Sequence, residues 1–197
     1  MSEWRLFDGP VPYVSTVEFH ADRDRARHLE DPTHRPRMDR AAMFVQMAAL
    51  HLGRAVTLSD LGCGDGGLLS LLGALEKVER CWGYDFQPAN AEGWAERGVT
   101  AFPVDAFTNQ NMVRLGDVTV ATEVLEHIAD PHGALRWIRS GSQALVASSP
   151  AEETSDSHDE CHAWAWDEEG YASMITAAGF TILRHERVGQ FQVVLAA

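Results

Sequence analysis

Ala55-Val-Thr-Leu-Ser-Asp60-Leu-Gly-Cys-Gly-Asp-Gly-Gly67 is the stretch that decides the fold. A short β-rich run ends on an acid and then turns through closely spaced glycines, which let the backbone take up positive φ and approach a ligand. Leu68, Leu71, Leu72 and Leu75 follow at i, i+3, i+4 and i+7, one apolar face of a helix. Gly62, Gly64 and Gly67 satisfy G-x-G-x-x-G, the turn that opens a nucleotide-binding strand–helix unit.

The same alternation continues on the C-terminal side. Arg80–Asp85, Val99–Val104, Asp117–Thr122 and Ala144–Ser148 read as strands, and Pro88–Arg97 and Pro131–Ser140 as helices. Asp167 is placed to cap a helix running to Ala178 and stopped by Gly179. Phe180–Val188 and Phe191–Ala197 are separated only by Gly189-Gln190, so they pair antiparallel. The pattern predicts an α/β protein with a Rossmann-like doubly wound sheet, mostly parallel with an antiparallel last strand. Residues 1–40 differ, with Pro10, Pro12, Pro32, Pro36, His20, His28 and His34 among mixed charges. They read as an N-terminal lid or cap segment on a core of residues 41–197.

A chain of 197 residues, 45% apolar, is long enough to bury a core unaided. Its net charge of −13 disfavours a nucleic-acid partner. Three scattered cysteines, Cys63, Cys81 and Cys161, make no disulfide framework and point to a reducing, cytoplasmic setting. No signal peptide is visible at the N-terminus, and no apolar run is long enough for a membrane span.

Open parallel sheets bind ligands beyond the carboxyl ends of their strands. Asp60, Asp85, Asp105 and Glu123 stand at four such ends in succession. Any one alone reads as a helix cap or a solvated carboxylate; together they make a negative rim suited to hydroxyls, amines or cationic centres. The glycines alone leave a nicotinamide or flavin cofactor open. Asp60 and Asp65 flank the turn that would hold its pyrophosphate, and the turn carries no Arg or Lys to offset them. S-adenosylmethionine has no phosphate, and its sulfonium and ammonium favour carboxylates.

Asp60-Leu-Gly-Cys-Gly-Asp-Gly66, Asp85, Asp105 and Thr122-Glu-Val-Leu-Glu-His127 together resemble the motifs of class I S-adenosylmethionine-dependent methyltransferases. The resemblance spans about residues 35–197. It implies that Gly62, Cys63 and Gly64 pass the methionine portion while Asp60 holds its amino group. It further implies Asp85 on the ribose hydroxyls, Phe86 against adenine, and Asp105 with Ala106 at the adenine edge. His34-Arg-Pro-Arg37-Met38 is similar to the segment before the first core helix of ubiquinone-biosynthesis O-methyltransferases, which implies Arg37 on the cofactor carboxylate.

Glu123, Glu126 and His127 lie at i, i+3 and i+4, and a helix starting here would set all three on one face. Two carboxylates and an imidazole suit a divalent metal or a general base. The arrangement is similar to that of ubiquinone-pathway enzymes and small-RNA 3′-terminal 2′-O-methyltransferases. For the latter the resemblance implies Glu123, Glu126, His127 and His162 as ligands of magnesium or manganese. Without a metal, His127 is the candidate base, with Glu126 beside it. His158-x-x-Cys161-His162 has no second ligand pair at zinc spacing, so zinc is not expected. Trp164 and Trp166 are candidate walls of an aromatic acceptor pocket. Eight acids between Glu152 and Glu169, without a Lys or Arg among them, set the acceptor side against a polyanion.

The expected function is methyl transfer from S-adenosylmethionine to a small-molecule acceptor, favouring oxygen, by a monomer or homodimer with no membrane partner. The alternatives are an NAD(P)-binding oxidoreductase and a non-catalytic S-adenosylmethionine-binding protein.

Overall fold

The computed structural model describes residues 2–6, 16–18 and 27–197. In chain order its elements begin with β1 (Glu3–Arg5), α1 (Arg35–Leu52), β2 (Val56–Leu61), α2 (Gly67–Gly73), β3 (Val78–Asp85), α3 (Ala91–Arg97) and β4 (Ala101–Pro103). There follow β5 (Val118–Thr122), α4 (Pro131–Gly141), β6 (Ala144–Pro150), β7 (Trp164–Trp166), α5 (Glu168–Ala177), β8 (Ile182–Val188) and β9 (Phe191–Ala196). Seven strands form one sheet in the order β4-β3-β2-β5-β6-β9-β8. The pairs from β4 to β6 are parallel, and β9 runs antiparallel to both β6 and β8. The chain leaves β2 toward β3 and β4, then returns to β5 on the other side. The order therefore reverses between β2 and β5, where an open α/β sheet parts to admit a ligand.

β5 and β9 are buried along their whole length, as strands covered on both faces must be. On one face Met38, Phe44, Val45 and Ala48 of α1 and Leu68, Leu69 and Leu72 of α2 pack on Val118, Val120 and Val193. On the other, Leu135 and Ile138 of α4 and Tyr171, Met174 and Ile175 of α5 pack on Leu145 and Val194. Phe44 is fully buried, and a burial of that size contributes about 2–3 kcal/mol. Asp167 caps α5 by accepting from the Gly170 N–H at 2.7 Å, as its position predicts.

Three local expectations change. α1 starts at Arg35 with Pro36 in its first turn, so it runs through the division expected at residue 40 and carries Arg37 on the helix itself. Glu123 to His127 is not an α-helix: Glu123 has a φ of 56°, and only a 3₁₀ turn, Leu125–His127, follows. Pro131 opens the helix instead, capped by Asp130, whose Oδ1 accepts from the Gly133 N–H at 2.7 Å. Residues 3–5, within the segment expected as a lid or cap, form a strand. They pair antiparallel with β7, Glu3 opposite Trp166, and Glu3 Oε2 accepts from Trp166 Nε1 at 2.9 Å. Residues 27, 28 and 34 do border the cavity described below, while His20 lies outside the described residues.

Candidate active site

A cavity of about 820 Å³ lies along the carboxyl ends of β2, β3, β4 and β5. The turn after β2 forms its floor. Gly62 and Gly64 have φ of 73° and 53°, and a Cβ on Gly62 would overlap Val124 of the turn after β5. The Gly64 N–H donates to Asp85 Oδ2 at 2.9 Å, and Asp85 Oδ1 accepts from the Gln87 N–H at 2.8 Å and Asn90 Nδ2 at 3.0 Å. The end of β3 thereby fixes the glycine turn. Asp65 is not the uncompensated charge expected at this turn. Arg97 of α3 donates to its Oδ2 at 2.6 Å, a partner thirty-two positions away that local sequence does not disclose.

Asp60 is different. It lines the cavity, is 1% exposed, and neither carboxylate oxygen has a hydrogen-bond partner. Burial, reinforced by the charge of Asp85 and opposed by Arg37, pushes its pKa up to about 8. A cation or donor placed beside it restores the ionised form.

Arg37 lines the same cavity at 1% exposure. Its Nη1 reaches Ser148 Oγ at 3.4 Å, its Nε lies 4.0 Å from Glu123 Oε1 without a hydrogen bond, and its Cζ sits 5.1 Å over the Phe191 ring. This buried guanidinium is short of acceptors. Glu123 Oε1 accepts from Ser148 Oγ at 2.7 Å, and burial raises its pKa against the pull of Arg37 and Ser148. Phe86, Asp105 and Ala106 line the cavity as expected; Asp105 Oδ1 accepts from the Phe107 N–H at 3.0 Å, which shapes that turn. Cys63 also lines it, and burial raises its thiol pKa.

At the other end stand His127, Glu153, Cys161 and His162. His127 Nδ1 is 3.1 Å from the Cys161 carbonyl oxygen and His162 Nδ1 is 2.6 Å from Glu153 Oε2; the two rings meet edge-on, centroids 4.6 Å apart. Among the described residues, one set of metal-ligating groups converges: donor atoms of His127, Cys161 and His162 all lie within 4.8 Å of one another. Of the four expected ligands, His127 and His162 come together here, and Glu123 and Glu126 stand outside the set. Glu126 is also off the cavity wall, 1% exposed, with both oxygens unpartnered. Burial and then the charge of Glu123 raise its pKa well above the carboxylate range.

Trp164 and Trp166 are not among the residues that line this cavity. They stack on each other 6.2 Å apart and anchor the N-terminal strand, so their alternation is packing. The acids after β6 are partly spent within the chain: Glu152 pairs with Arg187, Glu153 with His162, and Asp167 caps α5. Gln190 and Phe191, at the β8–β9 turn, line the cavity without any local signal in the sequence.

A family model described as a methyltransferase domain matches residues 34–185, and the chain belongs to that family. With this sheet order it is a class I, S-adenosylmethionine-dependent methyltransferase. The 1,6-didemethyltoxoflavin N1-methyltransferase of Burkholderia thailandensis, solved with S-adenosylhomocysteine, is similar at TM-score 0.68 and 19% identity, over 96% of this chain and 92% of that one. The N-methyltransferase NodS of Bradyrhizobium japonicum, also with S-adenosylhomocysteine, is similar at TM-score 0.68 and 17% identity, over 93% and 96% of the two chains. The methyltransferase domain of a bacterial Hen1 is similar at TM-score 0.63 and 16% identity, over 84% of this chain and 99% of that one. At such identities the likeness is one of fold. No curated protein matches the chain.

Proposed function

We propose that the chain methylates a hydroxyl of a small organic acceptor, with S-adenosylmethionine lying along the carboxyl ends of β2 to β5. One observation carries the reading: a single cavity contains a buried carboxylate without partners, Asp60, and a buried guanidinium short of acceptors, Arg37. Opposite unsatisfied charges in one cavity complement an α-amino-acid zwitterion. Asp60 takes the ammonium and Arg37 the carboxylate, with Glu123 and Ser148 holding the guanidinium. The glycine turn, with Gly62, Cys63 and Gly64, runs beside the methionine portion. Asp85 accepts from the ribose hydroxyls, Phe86 lies against adenine, and Asp105 with Ala106 meets its edge. A dinucleotide would instead bring a pyrophosphate to a turn beside the uncompensated Asp60, which disfavours the oxidoreductase reading.

In the transfer the acceptor oxygen forms the new O–CH₃ bond as the C–S bond breaks and its electron pair stays on sulfur. The hydroxyl proton passes to Nε2 of His127, the lone-pair nitrogen when Nδ1 donates to the Cys161 carbonyl. Alignment and exclusion of water do the remaining work. Magnesium or manganese does not fit the four expected ligands, because Glu123 is engaged by Ser148 beside Arg37 and Glu126 does not reach the cavity wall. Acids at the acceptor mouth, Glu152, Glu153 and Asp159, favour a small acceptor over a nucleic acid. None of the three cysteines is disulfide-bonded, in keeping with a cytoplasmic setting.

Calorimetry against S-adenosylmethionine and NADH, with methyl-label transfer to a panel of small alcohols and phenols, tests the reading. Saturable S-adenosylmethionine binding with label on oxygen is expected. NADH binding in its place overturns the cofactor, and binding without turnover across the panel favours a non-catalytic role.

A further inference from the structure

We propose that His127, Cys161 and His162 form a binding site for a thiophilic divalent cation of the zinc class at the acceptor end of the cavity. Sequence spacing argues against zinc because His158-x-x-Cys161-His162 lacks a second ligand pair. The fold removes that objection differently: His158 turns its Nδ1 to the Thr154 carbonyl, and His127 arrives from the turn after β5. Its donor, the Cys161 sulfur and a His162 nitrogen all lie within 4.8 Å of one another. Tetrahedral zinc sets its donors roughly 3.3–3.8 Å apart, so side-chain adjustment of about an ångström closes the set.

Both imidazoles are oriented in the manner of ligands. His127 Nδ1 faces the Cys161 carbonyl oxygen and His162 Nδ1 faces the Glu153 carboxylate. An imidazole that donates from Nδ1 to such an acceptor carries its lone pair on Nε2, and outer partners of this kind hold metal-bound histidines in place. The two loops are also stitched together. The Cys161 N–H donates to Asp159 Oδ1 at 2.9 Å, and the Ala163 N–H donates to the Glu126 carbonyl at 2.6 Å, joining the Cys161–His162 loop to the turn that carries His127. Two nitrogens and a sulfur select a zinc-class ion over the oxygen-seeking magnesium. Cys161 and His162 are buried, whereas His127 is half-buried on the cavity wall. Three protein ligands would leave a fourth position open, as in catalytic rather than structural zinc sites.

The site's part in turnover rests on the hydroxyl-methylation reading above; ion binding itself does not. Ion binding and proton abstraction by His127 exclude each other, since both use Nε2. A bound ion would be held by His127, Cys161 and His162 and would supply polarisation of an acceptor hydroxyl, with His127 then a ligand rather than the proton acceptor.

Full-length protein stripped with a chelator is titrated with zinc and with cobalt, and S-adenosylmethionine calorimetry is run on the same samples. The expected result is one equivalent of zinc, and a near-ultraviolet thiolate-to-cobalt charge-transfer band with cobalt. Glu153→Gln is expected to weaken zinc binding about 10–100-fold, and Cys161→Ser to weaken it further and abolish the band. No zinc binding, cobalt binding without the band, or unchanged zinc affinity in Cys161→Ser overturns the site. Retained S-adenosylmethionine binding in the variants shows that they fold. Loss of it in the unaltered protein counts against the methyltransferase site instead, so the two failures are told apart.

Discussion

The two ends of one sheet hold acids in opposite states. At the amino end, Asp117 accepts from Arg54 at 2.7 and 3.1 Å, from the Thr57 N–H and hydroxyl at 2.8 Å each, and from Gln143 at 3.1 Å. The Arg54 guanidinium holds its pKa far below the usual carboxylate range. At the carboxyl end, Asp60 has no partner and its pKa rises to about 8. Both acids border the central pair β2 and β5. An acid whose partners come from the chain serves the fold; a buried one without them, on a cavity wall, is the one we propose for a ligand.

Exchanging the roles of these ends is the sharpest way to break the comparison. Asp60→Asn is expected to weaken S-adenosylmethionine by about 3 kcal/mol, on the order of 100-fold, while thermal stability holds or rises. pH adds a sign. Because Asp60 is raised, its contribution to stability is fully present below the usual carboxylate range and is lost as pH climbs through about 8. Half-buried Glu123 and buried Glu126, raised as well, act in the same direction. Ligand binding runs the other way, since an ammonium needs the ionised acid. Affinity by calorimetry should therefore increase by up to about tenfold per pH unit toward pH 8, with a shallower slope in Asp60→Asn.

Arg37→Gln removes the opposing charge and should cost about 1.5–3 kcal/mol of cofactor affinity, with a smaller loss for analogues lacking the methionine carboxylate. Asp117→Ala should reverse the pattern. It should lose about 1–2 kcal/mol of stability in denaturant melts, reduced by solvent screening of the exposed Arg54 pair, with cofactor affinity unchanged. The stability that Asp117 supplies is present above the usual carboxylate range and disappears only as pH falls into strong acid. The smallest effect belongs to Trp164→Phe, which should leave the acceptor KM within about twofold because the ring lies off the cavity wall.

Much of the cavity wall at the carboxyl ends of the strands was legible in the sequence. Asp60, Gly62, Gly64, Asp85 and Glu123 were found from strand periodicity and glycine spacing, which are local properties of the backbone. The end around His127 was not. The spacing of Glu123, Glu126 and His127 matches a helix, yet the tight turn after β5 puts Glu123 at positive φ and sends Glu126 inward. Arg97 reaches Asp65, and His127 reaches Cys161 and His162, across thirty or more residues. Trp164 and Trp166, expected as pocket walls, lie instead on a strand whose partner is β1, more than 150 residues away.

From the sequence alone came the α/β class, the antiparallel last strand, the glycine turn and the acids at the strand ends, because each follows from periods and turn chemistry within a few residues. Tertiary structure decided which of those acids are neutralised, that Arg37 shares a cavity with Asp60, and that a thiol joins two imidazoles. These depend on which distant segments meet and on how far water is excluded where they do, and neither is written in local spacing.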